Sequence, residues 1–152
     1  KIIPHVICEP SQGVERAFLV FMFDAYNYDK SRDNVVLKLH PKLAPTKIGI
    51  FPLVSNKAEL VKKARDVYDG LKNEWTCAFD LSGSIGRRYA RADETGIYAC
   101  VTIDHESLED EFATIRSRDT TEQIRVKIKD LKDVLSKFLS GEKLSNLGKV
   151  VE

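Results

Sequence analysis

Cysteine is scarce and scattered: Cys8, Cys77 and Cys100 are odd in number and contain no Cys-x-x-Cys pair. That excludes a disulfide framework and a zinc ribbon, and fits reduced thiols in a cytoplasmic protein. His5, His40 and His105 each stand alone without ligand spacing, so no metal centre is expected. Charge of one sign is not in excess either. With 24 Lys and Arg against 23 Asp and Glu, the net charge is +1. No global basic field announces nucleic acid, and any RNA contact must come from local clusters. No apolar run approaches membrane-spanning length, and the start lacks a signal-peptide pattern, so no membrane partner is expected. Ser11, Ser82 and Ser84 have no His/Asp pattern beside them, which sets nucleophilic catalysis aside. There is no internal repeat.

What is present is a globular composition, 43% hydrophobic and 31% charged over 152 residues. That length gives room for one ordinary domain and a piece of another. The chain opens at Lys1, without methionine and inside an apolar segment, which reads as a fragment of something longer. Residues 2–8 read as a short strand. Residues 14–26 are apolar nearly all round, the pattern of a buried helix. Asn27 to Asn34 is polar and reads as a linker, and Pro41 and Pro45 impose an extended path beyond it.

From there strands and helices alternate. Ile48–Val54 and Ile97–Ile103 are continuous apolar runs, as in strands covered on both faces. A helix over residues 57–74 gathers Leu60, Val61, Ala64, Val67, Tyr68 and Leu71 on one face. Residues 76–80, 112–116 and 123–128 read as further strands. The last alternates Ile124, Val126 and Ile128 against Arg125 and Lys127, with one face solvated. A final helix buries Leu131, Val134, Leu135 and Phe138. The fold class is α/β, a mixed sheet of about five strands flanked by helices. Residues 46–140 are expected to fold independently.

The chemistry concentrates in Ser82-Gly83-Ser84-Ile85-Gly86-Arg87-Arg88-Tyr89-Ala90-Arg91-Ala92-Asp93-Glu94, where a glycine–serine loop precedes three arginines. Ser84 is a good N-cap for a helix. Ile85, Tyr89 and Ala92 would then share one face, with Arg87 and Arg91 one turn apart beside it. Two readings stand. Guanidinium groups beside free amides at a helix start can receive phosphate or carboxylate. Alternatively, this is a solvated charged face whose arginines are neutralised by Asp93 and Glu94.

The spelling of this segment resembles the Asp-x-Ser-Gly-Ser-Ile-Gly-Arg-Arg-Tyr signature in the anticodon-binding domain of class II glycyl-tRNA synthetases of archaeal and eukaryotic type. Arg116-Ser117-Arg118-Asp119-Thr120-Thr121-Glu122-Gln123 is similar to that family's Arg-Asp-Arg-Asp element. Leu39-His40-Pro41-Lys42-Leu43-Ala44-Pro45-Thr46-Lys47 is similar to the stretch before the domain. Upstream, Gly13-Val14-Glu15-Arg16 looks like motif 3 of class II synthetases, and Val6-Ile7-Cys8-Glu9-Pro10-Ser11 looks like the glycine-pocket element, with Cys8 additional.

The resemblance implies residues 1–34 as the end of a catalytic domain with a linker, and residues 35–152 as an anticodon-binding domain. It implies Glu9 and Ser11 for glycine and Arg16 for ATP. Arg87, Arg88, Arg91, Arg116, Arg118 and Arg125 would face the anticodon stem-loop of tRNA(Gly). It also implies a homodimeric parent enzyme using ATP and Mg2+, with no activity in the fragment alone. The other reading is a free-standing RNA-binding accessory module of the same fold. The prolyl, threonyl and histidyl enzymes, which share the domain, fit the spelling less well.

Overall fold

The computed structural model describes residues 10–151. The strand expected over residues 2–8, and Glu9 with it, lie outside the described residues. The first helix, α1 (Val14–Ala25), leads straight into β1 (Tyr26–Asp29), which pairs antiparallel with β2 (Asn34–Leu37), Tyr26 opposite Leu37 and Asp29 opposite Asn34. The stretch expected as a linker is therefore most of a β-hairpin. Its turn closes with Asp33 in the left-handed region (φ 49°), a conformation aspartate tolerates well.

The remaining elements follow in the order β3 (Ile48–Pro52), α2 (Ala58–Leu71), β4 (Cys77–Phe79), α3 (Ile85–Glu94), β5 (Ala99–Ile103), the single turn α4 (Ser107–Asp110), β6 (Phe112–Ser117), β7 (Gln123–Lys127), α5 (Leu131–Leu139) and β8 (Lys149–Val150). From β3 onward the expected strands and helices are all present, with one more strand, β8, than the sequence announced. Six strands stand in the order β4-β3-β5-β6-β7-β8. The first three are parallel, and the rest run antiparallel.

The patterns explain the layers. Every residue of β3 and β5 is buried, because these central strands are covered on both sides. On one side Leu60, Ala64, Val67 and Leu71 of α2 join Leu131, Leu135 and Phe138 of α5 over Ile48, Ile50, Val101, Ile115 and Ile124. On the other, Ile85, Tyr89 and Ala92 of α3 pack on Phe51 and Cys100. Burial pushes the Cys100 thiol up to about 12, leaving it an inert apolar group. Strand β7 alternates as expected, Ile124 and Val126 inward and Arg125 and Lys127 outward.

The buried character expected of α1 is not observed. Phe18, Leu19, Val20, Phe21 and Phe23 are all exposed, and among the described residues only the helix end is held, Ala25 with Met22 against Leu37, Leu39 and Ala44. Gly96 ends α3 with φ 77°, and a Cβ there would meet the Leu37 carbonyl oxygen at 3.2 Å. The hairpin thus approaches the turn after α3 at a point where only glycine leaves room.

Candidate nucleic-acid interface

Helix α3 begins as the sequence reads. Ser84 is its N-cap, in extended conformation, and its hydroxyl accepts the Arg87 amide at 3.4 Å. The loop before it, residues 80–84, follows β4, and the loop Leu53–Asn56 follows the neighbouring β3. The two flank the carboxyl ends of parallel strands where the chain switches direction across the sheet, the place where open α/β sheets bind ligands. Between them lies a cavity of about 480 Å³, lined by Leu53–Asn56 and by Gly83, Ser84, Ile85 and Arg88.

The six sequence-predicted arginines do not form one surface. Arg88 is buried, 1% exposed, and its guanidinium donates to the carbonyl oxygens of Pro52, Gly83 (3.1 Å), Leu53 (3.3 Å) and Asp80 (3.5 Å). It ties the two loops together. Burial pushes its pKa below the ordinary arginine value. Arg116 is buried in a two-point pair with Asp93, at 2.9 and 3.0 Å, and its guanidinium lies 4.8 Å from the centre of the Tyr89 ring. Burial opposes that charge, but the Asp93 bonds outweigh it and raise the Arg116 pKa. Arg118, 1% exposed, donates to Gly96 O (3.0 Å) and Leu39 O (2.8 Å) and pairs with Asp119. Arg88 and Arg118 position backbone and Arg116 positions Asp93, and none of the three guanidinium groups is presented at the surface.

Arg125 is partly exposed and held by Asp104 (2.7 Å) and Asp110 (2.9 Å), with Glu106 at 3.4 Å. The Asp104 bond, chief among these, raises its pKa. Arg91 is 43% exposed along its side chain and reaches Asp80 and the Ser82 carbonyl oxygen (2.6 Å). Arg87 is exposed, and among the described residues its guanidinium has no partner. It lies against the loop, its Cδ 3.5 Å from where a Gly83 Cβ would be.

The neutralising role expected of Asp93 is replaced by a longer-range one. Buried at 2% exposure, it holds Arg116 and also Arg32 of the hairpin turn, at 3.3 Å. Arg32 further donates to the carbonyl oxygens of Arg118 (2.7 Å) and Asp119 (3.1 Å). Sequence reading passed over Arg32: its one local partner, Asp29 at 3.0 Å, is an ordinary turn pair, and its other acceptors lie 61 to 87 residues away. Asp80 was similarly overlooked as a partner, although it opens the signature. Burial pushes its carboxyl up, but Arg91 and the Ser82 amide together hold it below its ordinary value.

At the other end of the chain, Ser11 is exposed ahead of α1, and Arg16 is exposed in its first turn, without a hydrogen-bond or ion-pair partner among the described residues. No helix among the described residues is long and apolar enough to cross a membrane.

Residues 47–138 match the family described as "Anticodon binding domain". Among curated proteins, the chain is 45% identical over 148 residues to a protein of Thermobifida fusca named "Glycine--tRNA ligase", covering 93% of this chain and 32% of that one. Proteins of the same name from Rhodopirellula baltica (46% over 138 residues, 86% of this chain and 25% of the relative) and Malacoplasma penetrans (48% over 134 residues, 86% and 28%) are also similar. The chain spans about a third or less of the length of these relatives. All three are bacterial proteins, so the archaeal and eukaryotic character suggested by the motifs is not carried by them. The family match runs from the residue before β3 to the last turn of α5, more than half the chain and all of the layered sheet but its two-residue edge strand. The chain belongs to the anticodon-binding domain family.

Proposed function

We propose that this chain is the anticodon-binding part of a glycine–tRNA ligase, joined to the end of that enzyme's class II catalytic domain. The observation that carries the reading is the extent of the identity. Similarity to a glycine–tRNA ligase covers 93% of the chain, whereas the anticodon-domain match begins only at residue 47. Most of α1 and the hairpin therefore belong to the shared sequence too. The exposed apolar side chains of α1 fit a helix whose companions lie in the rest of the enzyme. The division at residues 34 and 35 falls inside β2, so the hairpin sits astride both parts and acts as their joint.

In this reading the domain grips the anticodon stem-loop of tRNA(Gly). Splayed single-stranded bases are recognised by stacking and by hydrogen bonds at their edges, and phosphates by cations. Arg87 and Arg91 are the surface guanidinium groups of α3; Arg88, Arg116 and Arg118 hold the loops and strands beneath them. Glu9 and Ser11 would line the glycine pocket of the whole enzyme, which uses Mg2+ with ATP in this reading, and Arg16 would contribute one guanidinium for the terminal phosphate of ATP. One exposed arginine does not form an ATP site by itself, because the second cation and the adenine pocket come from elsewhere in the enzyme, a homodimer in this reading. The fragment should therefore carry out no glycine-dependent pyrophosphate exchange.

The test is a titration of the tRNA(Gly) anticodon stem-loop, followed by fluorescence anisotropy at two salt concentrations. Binding should weaken as salt rises. Arg87→Ala should lower affinity by roughly 1–3 kcal/mol without changing thermal stability. Lys62→Ala, on the exposed face of α2, should do neither. Indifference of the affinity to both Arg87 and salt would remove this function.

A further inference from the structure

We propose that the first turn of α3 is a seat for one phosphodiester of the RNA, with the nucleoside it carries lodged in the adjoining cavity. The inference rests on the RNA-binding reading above and assigns it a subsite. It starts from a buried charge with no ion pair among the described residues, the Asp80 carboxylate acting on it only at longer range. Arg88 is 1% exposed and lines the cavity, yet all four of its acceptors are backbone carbonyl oxygens, which carry no net charge. Its Nε–H is buried and has no acceptor among the described residues. The nearest loop carboxylate, Asp80, is engaged by Arg91 and by the Ser82 amide (2.7 Å). A buried cation in this state favours an anion at the mouth of its cavity.

Three independent groups point to the same place. The amides of Gly83, Ser84, Ile85 and Gly86 have no acceptor among the described residues, since the first bonded amides of the turn are those of Arg87 and Arg88. Free amides and the helix dipole together attract a phosphate. Arg87, the one guanidinium of the six without an intramolecular acceptor among the described residues, lies along Gly83 at the edge of that turn. The cavity of about 480 Å³ is far larger than a phosphate and within the size that takes small organic ligands. Its walls offer Leu53, Val54 and Ile85 to the face of a base and Ser55, Asn56 and Ser84 to its edge. In this arrangement Arg88 is a positioning residue. It fixes both walls and supplies the field, while the amides and Arg87 make contact.

Two sources of phosphate share this chemistry, a free nucleotide and an RNA backbone, and one experiment separates them. Inorganic phosphate and a nucleoside monophosphate are titrated into the 15N-labelled chain while the amides of residues 83–87 are followed. The stem-loop is then presented as a set in which each phosphodiester in turn is a neutral methylphosphonate. The expected result is a phosphate-dependent shift confined to residues 83–87, and a single linkage whose neutralisation weakens binding about tenfold. That penalty should shrink to about twofold or less in Arg87→Ala and in Ile85→Pro. Proline is tolerated at the first helical position and removes the amide there. Ile85→Val keeps the amide with a similar loss of packing and should retain the full penalty.

Shifts with phosphate but no stem-loop affinity would end the RNA-binding reading and assign the seat to a free nucleotide. Stem-loop binding with every linkage equal, or with a sensitive linkage indifferent to both variants, would overturn the seat and leave RNA binding standing.

Discussion

Helices α1 and α3 invert the usual relation between composition and burial. α1 is apolar nearly all round, yet Phe18 is 64% and Phe23 75% exposed. α3 carries three arginines and two acids in ten residues, yet Arg88 and Asp93 are among the most buried side chains of the fold. The difference lies in partners. α3 is surrounded by carbonyl oxygens, by Arg116 and by the hairpin, so its charges are solvated by protein. Among the described residues, α1 packs only on the small cluster around Ala25. Hydropathy says what a side chain tolerates, and the neighbours decide what it gets.

Asp93→Ala attacks the charged side of that comparison and has the largest expected effect. It leaves Arg116 buried without its pair, which should cost about 3–5 kcal/mol in urea unfolding. The double variant Asp93→Ala with Arg116→Met should recover much of the loss. Strict additivity of the two single effects would mean the pair is not the cause.

Arg32→Ala comes next. It removes bonds to Asp93 and to two carbonyl groups, from a side chain only 17% exposed, and should cost about 1–2 kcal/mol. The same variant should speed amide exchange in residues 26–37 more than in β5, and equal acceleration of both would contradict a local clamp.

A smaller effect is expected from acid. Asp80 and Asp104 are both held below the ordinary carboxylate value. Burial opposes this, but Arg91 with the Ser82 amide outweighs it at Asp80, and Arg125 with Ser107 at Asp104. A carboxylate with a depressed folded-state pKa stabilises fully above its unfolded value, near pH 4, and loses that contribution as pH falls through the depressed value. Urea midpoints should thus fall below about pH 4, and less steeply in Asp80→Asn.

Least of all should follow from Phe18→Ser with Phe23→Ser. Both side chains are already in water, so stability should stay within about 0.5 kcal/mol while self-association falls in sedimentation. A large destabilisation would show that α1 is packed in solution and would erase the comparison.

These two helices also mark how far the sequence could be read. β3, α2, β5, β7 and α5 were legible because continuous or periodic apolar residues announce their own burial. So was Ser84, since a cap acts within one turn. The hairpin was harder to see. Tyr26–Asp29 is polar, and only the turn-forming Lys30–Asp33 before Val35-Val36-Leu37 hinted at paired strands. The candidate site was legible in composition but not in role. Among the acceptors of Arg88 is Pro52, 36 residues back, and among those of Arg118 is Leu39, 79 residues back. Local pattern carries no record of such distances. It could therefore gather six arginines but not separate Arg87, which faces solvent, from those that hold the fold.

The hairpin clamp has a consequence during synthesis. Arg32 bonds to the carbonyl groups of residues 118 and 119, which leave the ribosome 86 and 87 residues after it. At roughly 5–20 residues per second, that is a delay of about 4–17 s in which the hairpin has no latch. Through that interval α1 and the hairpin hang from the nascent chain with their apolar side chains in water. Any chaperone that attends this protein during translation should find its longest-lived target there.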